Sequence, residues 1–383
     1  GFDYHNRVNV VGFDYHNRVN VVGFDYHNRA LWPEDLISRA CLLRVFGVKE
    51  GVQSMARVVR VAVTGAAGRV ANSLIVRLAS GEVFGPDVSV ILQLLELPVA
   101  MKTLEGILYE LQDCAFPTLQ DVIITDDVNR AFEGCNWAIL VGAAPRGPGE
   151  QRSDLIRKNG PIFVEQGRVL AQRAASDVRI LVVGNPCNTN CLIAWRNGRD
   201  IPAERWHAMT RLDHNRAVYA LAAKANVPVT AVTCVTIWGN HSNTQYPDFT
   251  HAKIGGRPAT EVITDRQWLE NVFVPQCQER GKFIIDTTKV SSSFSAANGA
   301  IDHIKSLVRG TPPGDWTSAA LVSRGEYGVP EGIVFGYPVT SRGDGNWHIV
   351  EGLTLDTFGQ QKFQITLQEL IKERDVVQDL LPS

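Results

Sequence analysis

Val58-Val-Arg-Val-Ala-Val-Thr64-Gly65-Ala-Ala-Gly68-Arg-Val-Ala71 runs from β-branched residues through a glycine-rich turn into a helical pattern that continues to Ala79. A strand, a tight turn and a helix in that order begin a parallel sheet with helices on both faces. Glycines at such a turn let an anionic group reach the free N–H groups of the helix N-terminus. The spacing G-x-x-G-x-x-A also suits a turn that binds nothing, so its surroundings matter. Val88 to Leu95 reads as the second strand and ends in Glu96. An acid there accepts hydrogen bonds from an adenosine ribose and repels a 2′-phosphate, which favours NAD over NADP. Further strands are expected at Val122 to Thr125, Trp137 to Gly142 and Arg179 to Gly184, their C-terminal ends lining one crevice. The expected fold is α/β: a Rossmann-type doubly wound parallel sheet over residues 55–206, followed by an α+β half over 207–383.

The bulk numbers are those of an ordinary globular chain. Its 383 residues are 45% hydrophobic and 20% charged, with a net charge of −2. That charge gives no nucleic-acid footprint and no basic membrane face. No apolar run approaches the roughly 18 residues that span a bilayer. The seven cysteines (41, 114, 135, 187, 191, 234 and 277) are dispersed without a CxxC pair, as expected of reduced thiols in a cytoplasmic setting. Cys187 and Cys191 lack a second Cys/His pair, so no metal is expected.

Chemistry-bearing residues gather in the middle of the chain. Asp213 and Arg216 are three apart in Arg211-Leu-Asp-His-Asn-Arg216 and share a helix face. His241 follows the run Ala231 to Ile237, which reads as a strand. A carboxylate that orients an imidazole makes a general acid/base, and an arginine beside it can grip a substrate carboxylate with two hydrogen bonds. A Pro/Gly-rich loop over 142–149 introduces Arg146 and Arg152, which suits a lid that excludes water when it closes. A small dicarboxylate needs two separate cationic grips; Arg216 and Arg146 can supply them, with Arg152 polarising a carbonyl between.

Residues 1–54 read differently. GFDYHNRVNVV occurs twice and GFDYHNR a third time, at a period of 11, short of solenoid periods. The stretch opens with Gly and has no methionine before Met55, so it is expected to lie outside the working fold. A targeting or interaction tail is the alternative, although six basic and six acidic residues do not suit a transit peptide.

Six motifs carry a family resemblance: TGAAG (64–68), LYELQDCAFP (108–117), VVGNPCNTN (182–190), TRLDHNRA (210–217), WGNHSNTQYPD (238–248) and GEYGVPEGIVF (325–335). From about Val58 to near the C-terminus the chain resembles the lactate/malate dehydrogenase family, and within it the malate dehydrogenases of cytosolic type. The resemblance implies NAD-dependent, reversible oxidation of (S)-malate to oxaloacetate by a cytoplasmic homodimer. It implies that His241 is the acid/base and Asp213 its partner. Arg216 and Arg146 would bind the two carboxylates, Arg152 would polarise the carbonyl, and Asn185 would touch substrate and nicotinamide. Gly65, Ala66, Ala67, Gly68, Arg69, Val70, Ala71, Glu96, Asn159, Gln166, Val183, Gly184 and Asn185 match cofactor positions. In the family's lactate dehydrogenases the position of Arg146 is glutamine, so arginine here implies a dicarboxylate.

Some positions depart from the family pattern. Glu150 and Gln151 stand in the loop, Arg69 replaces a glutamine in the phosphate turn, and Ser293 and Phe294 stand where small residues or Met are commoner. A relaxed 2-hydroxy acid dehydrogenase and a catalytically inactive binding homologue therefore stay open as alternatives. Phrases such as NPCNTN also resemble the chloroplast NADP-dependent enzyme. However, no cysteine follows Cys277, and Glu96 disfavours NADP. Asp248 to Arg257 and Val334 to His348 read as hairpins, and Asp356 to Leu380 as a closing helix.

Overall fold

Arg57–Thr64 lies inside a nine-stranded sheet, with Val88–Leu95 and Leu119–Thr125 on one side of it. On its other side come Trp137–Leu140, Arg179–Val182 and Trp206–Ala208. These six strands are parallel. The direction of winding reverses between Arg57–Thr64 and Trp137–Leu140, which opens a crevice at the strands' C-terminal ends. Thr317–Val322, Val334–Thr340 and His348–Ile349 then extend the sheet antiparallel from Trp206–Ala208. The computed structural model describes residues 9–13, 19–23, 57–144, 149 and 151–382. By its own contacts the chain divides into Gly1–Met55 and Ala56–Ser383. In the first unit, Asn9–Phe13 pairs antiparallel with Val19–Gly23.

Side-chain alternation explains why the sheet must be covered on both faces. Val59, Val61 and Val63 pack into one core, whereas Ala62 packs into the other. Ile139 and Leu181 join the first core; Ala138, Leu140, Ile180 and Val182 join the second. Each fully buried valine contributes roughly 1.5–3 kcal/mol. Helices Arg69–Ala79 and Phe294–Arg309 bury Leu74, Leu78, Ile301 and Ile304 in the first core. Helices Arg152–Arg173 and Cys187–Asn197 bury Phe163, Leu170 and Ile193 in the second.

Several expectations need correction. The run Ala231 to Ile237 is not one strand. It forms Val232–Thr233 and Thr236–Trp238, broken at Cys234, whose φ is 58°. The strands expected to reach Gly142 and Gly184 stop at Leu140 and Val182, because the chain then bends into the crevice. Gly142 N–H donates to Thr64 Oγ1 at 3.0 Å, and Val183 and Gly184 N–H both donate to the Leu140 carbonyl. In the 248–257 stretch only Lys253–Ile254 and Arg257–Pro258 make a hairpin; Tyr246–Asp248 instead pairs with Thr236–Trp238. The closing helix is Thr357–Val376, capped by Asp356, which accepts from Gly359 N–H at 2.8 Å. A 3-10 turn, Gln378–Leu380, follows it.

A pair of buried imidazoles joins strand Trp206–Ala208 to helix Phe294–Arg309. His207 and His303 are both fully buried, with His303 Nε2 3.4 Å from His207 Nδ1. His207 Nε2 donates to the Glu204 carbonyl at 3.0 Å. Burial pushes His207 down to about 4, and burial followed by the nearby His207 and Arg211 pushes His303 well below its ordinary value. The unfolded chain takes up these protons near pH 6.5, whereas the folded chain resists them. Stability is therefore lost as pH falls from about 6.5 toward 4. From pH 7 to pH 5, His207→Gln should lose about 1–2 kcal/mol less stability than the unsubstituted chain in urea titrations. Parallel losses in the two proteins would contradict this assignment.

Candidate active site

The glycine turn is held from three sides. Gly65 has φ +63°, and a Cβ there would lie 2.6 Å from Gly142 Cα, so the ends of adjacent strands touch backbone to backbone. Gly68 N–H donates to the Gly65 carbonyl at 2.9 Å, and Ala66 N–H donates to the Leu95 carbonyl at 3.2 Å. Glu96 holds the turn directly: Oε2 accepts from Ala67 N–H and Oε1 from Leu97 N–H, both at 2.9 Å. A carboxylate has about four acceptor sites, so Glu96 keeps capacity for ribose hydroxyls at the edge of the turn. Ala71 is fully buried and Val70 packs against the core, which anchors the helix. The first N–H groups of that helix have no intrahelical partner, the chemistry a pyrophosphate requires. Arg69 reaches across to Ser293 Oγ at 3.5 Å.

The candidate acid–base centre is built around Asp213, which has no solvent exposure. Asp213 lies in the first turn of helix Arg211–Ala225, where the helix dipole favours a carboxylate. Its Oδ2 is bound to His241 Nδ1. Its Oδ1 accepts from Arg216 Nη1 at 3.0 Å and from Gln245 Nε2 at 3.3 Å. Burial pushes the Asp213 carboxyl up, but His241, Arg216 and Gln245 outweigh it and hold the group below the usual carboxylate range. Arg216 Nη2 also donates to Ser292 Oγ at 3.3 Å. The His241 and Arg216 side chains keep 16% and 13% exposure, enough to face a ligand.

The remaining candidate residues fall into two groups. Asn159 is fully buried; its Oδ1 accepts from Ala144 N–H at 2.8 Å, and its Nδ2 donates to the Asn185 carbonyl at 2.9 Å. It thereby joins the segment entering the loop to the Gly184-Asn185 turn. The Asn185 side chain is exposed, while Val183 and Gly184 are buried beside it. Gln166 is buried on the same helix as Asn159, and its Oε1 has no partner among the described residues. Arg152 begins that helix and is not a mid-loop residue; its Nε donates to Glu373 Oε1 at 2.6 Å. Arg146 and Glu150 lie outside the described residues. Among the described residues no group of three or more His, Cys, Asp or Glu is arranged to hold a metal ion.

Sequence reasoning missed the residues that hold the machinery in place. Asn188 Oδ1 accepts from His241 N–H at 3.0 Å, while Asn188 Nδ2 donates to the Val334 carbonyl at 3.0 Å. It stands in the quoted VVGNPCNTN motif, as Gln245 stands in WGNHSNTQYPD, and both were available there. Thr366, Glu369 and Glu373 carried no such signal.

A lactate/malate dehydrogenase NAD-binding domain matches residues 59–206, and a lactate/malate dehydrogenase alpha/beta C-terminal domain matches residues 210–380. A malate dehydrogenase from Magnetococcus marinus is 58% identical over 329 residues, covering 86% of this chain and 100% of its own. The crystal structure of malate dehydrogenase from Naegleria fowleri superposes with a TM-score of 0.83 at 45% identity, over 85% of this chain and 99% of that one. A Trichomonas vaginalis lactate dehydrogenase in complex with NADH and oxamate gives a TM-score of 0.81 at 35% identity, over 84% and 99%. The fold, the glycine turn and the two domain matches define an NAD-linked oxidoreductase. The chain belongs to the lactate/malate dehydrogenase family.

One contact fixes how close the closing helix comes to His241. Gly239 has φ +89°, and a Cβ there would fall 2.1 Å from Thr366 Cγ2. Gly239→Ala should therefore cost about 1–3 kcal/mol in denaturant unfolding, as overpacking does, with further strain from the positive φ. An unchanged midpoint and slope would mean that the helix does not pack there.

Proposed function

We propose that this chain is an NAD-dependent malate dehydrogenase, converting (S)-malate and oxaloacetate reversibly. One observation carries the reading: a single buried carboxylate, Asp213, holds both an imidazole and a guanidinium at the end of the sheet crevice. The pairing fixes the tautomer, because Nδ1–H of His241 points at Asp213 and leaves Nε2 for substrate. Nε2 takes the hydroxyl proton of malate; in the reverse direction it returns that proton to the carbonyl oxygen of oxaloacetate. Asp213 stays ionised throughout and steadies the imidazolium. Arg216 keeps free N–H groups beyond those spent on Asp213 and Ser292, and these bind the carboxylate next to the reacting carbon. Arg146 binds the distal carboxylate, and Arg152 polarises the carbonyl. NAD, when bound, supplies the hydride acceptor. Gly65, Gly68, Glu96, Asn159, Gln166 and Asn185 are the residues we assign to holding it.

The same reading extends to setting and assembly. Residues 55–206 form the NAD-binding domain and 207–383 the substrate half, with 1–54 outside the working fold. Unpaired thiols at Cys114, Cys135, Cys187, Cys191, Cys234 and Cys277 support a reducing, cytoplasmic setting. Among the described residues no helix is long and apolar enough to cross a membrane. A second copy of the chain is the partner we assign, with no nucleic acid and no membrane. A cleft of about 390 Å³ is lined by Leu212, Arg216, Tyr219, Cys277, Ile284 and Phe294. Tyr219 and Phe294 are strongly exposed there, as a covered face would require.

Following NADH absorbance with oxaloacetate or pyruvate tests the substrate assignment. The chain should strongly prefer oxaloacetate. Arg146→Gln should lower kcat/KM for oxaloacetate by about 100-fold or more, the cost of leaving one enclosed charge unpaired. Unaltered kinetics with oxaloacetate would contradict the role given to Arg146.

A further inference from the structure

Helix Thr357–Val376 carries polar side chains on a face that is buried. Thr366, Glu369 and Glu373 are three and four residues apart and so share that face. Thr366 is fully buried and Glu373 is 5% exposed. Leaving a carboxylate in such a place is costly unless donors surround it, and the donors to Glu373 are Arg152, Thr189 and Asn240. Thr366 Oγ1 accepts from Asn240 N–H at 2.9 Å. Asn240 Nδ2 donates to Glu369 Oε2 at 2.8 Å and to Glu373 Oε1 at 2.9 Å. Glu373 Oε2 also accepts the Thr189 hydroxyl, and its Oε1 accepts from Arg152 Nε at 2.6 Å. One carboxylate thus joins three segments distant in sequence: the start of the loop helix, the helix after Asn185, and the residue before His241.

The contact with Arg152 has a geometric consequence. A guanidinium is a planar fork, so tying Nε down sets the direction of both Nη groups. The Arg152 side chain keeps 32% exposure, which leaves part of the guanidinium fork open to a substrate oxygen. We propose that Glu373 is a positioning residue for the reaction, its carboxylate fixing the plane of Arg152 so that the guanidinium meets the substrate's reacting oxygen already oriented. The proposal rests on the malate dehydrogenase reading for the role of Arg152. Glu373 itself touches no substrate. Its effect is preorganisation, in which a donor that is already in place needs no rearrangement as charge develops. A misplacement of about 1 Å at such a group can cost on the order of 100-fold in rate.

Glu373→Gln keeps the shape and an acceptor for Thr189 but removes the charge that holds Arg152. In NADH oxidation with oxaloacetate, kcat should fall by about 10-fold or more while the Kd for NADH, read by fluorescence, stays put. In an Arg152→Ala background the same substitution should cost less than about twofold, because the group it positions is gone. Glu373→Asp, which keeps the charge and retracts it by one methylene, provides a second variant if the glutamine protein does not fold. It should lower kcat in the same Arg152-dependent way. Wild-type kcat in the folded variant would overturn the proposal, as would an equal loss with and without Arg152, which a packing defect would produce. An unsubstituted protein that failed to oxidise NADH with oxaloacetate would instead contradict the malate dehydrogenase reading beneath it.

Discussion

Asp213 bears a negative charge with no access to solvent, and three donors converge on it. A buried charge left without partners costs several kcal/mol, so His241, Arg216 and Gln245 are held where that charge needs them. This requirement links stability to chemistry. The Asp213 carboxyl is held below its ordinary range. The stability it contributes is therefore present above the unfolded value near 3.9 and lost as pH falls through the lower folded value. Around neutrality Asp213 is an acceptor only. The imidazole must therefore present Nδ1–H to it and Nε2 to the crevice.

The rest of the molecule keeps that arrangement in register. The parallel strands bring Gly65, Glu96, Gly142 and Asn185 to one end of the sheet, and Asn159 links the last two segments. The second half joins the same sheet through Trp206–Ala208 and Thr317–Val322, so the glycine turn and the Asp213 cluster share one frame. His241 is fastened to that frame by its own backbone, since Asn188 bonds both its N–H and the Val334 carbonyl. Gly239 and Gly336 exchange backbone hydrogen bonds at 2.9 and 3.1 Å just before it. Thr366, Glu369 and Glu373 close the far side, admitted by the missing side chain at Gly239.

What the sequence revealed was local. The strands at 57–64 and 88–95, the glycine turn and the Asp213–Arg216 spacing could be read because apolar period, turn chemistry and helix periodicity act over a few residues. Long-range consequences could not be read. Nothing in Ala231 to Ile237 announces that Cys234 takes a left-handed conformation, and the apolar run reads as one strand. Glu96 reads as a ribose acceptor, yet it also braces the glycine turn through Ala67 N–H, a contact 29 residues back. Glu373 stands between Lys372 and Arg374 and carries no local signal of a site. Only the packing of its helix against Asn240 and Thr189 makes it a buried acceptor. Arg69 likewise meets Ser293 across 224 positions of chain.

Replacing Asp213 by asparagine changes one oxygen and removes the charge on which the imidazole and the guanidinium converge. Steady-state kinetics of Asp213→Asn with oxaloacetate and NADH, alongside its NADH affinity, read the consequence. A fall in kcat/KM of about 100-fold or more with unchanged NADH affinity is the predicted result. A variant within about threefold of the unsubstituted protein would contradict the assignment of Asp213 as organiser of the acid–base centre.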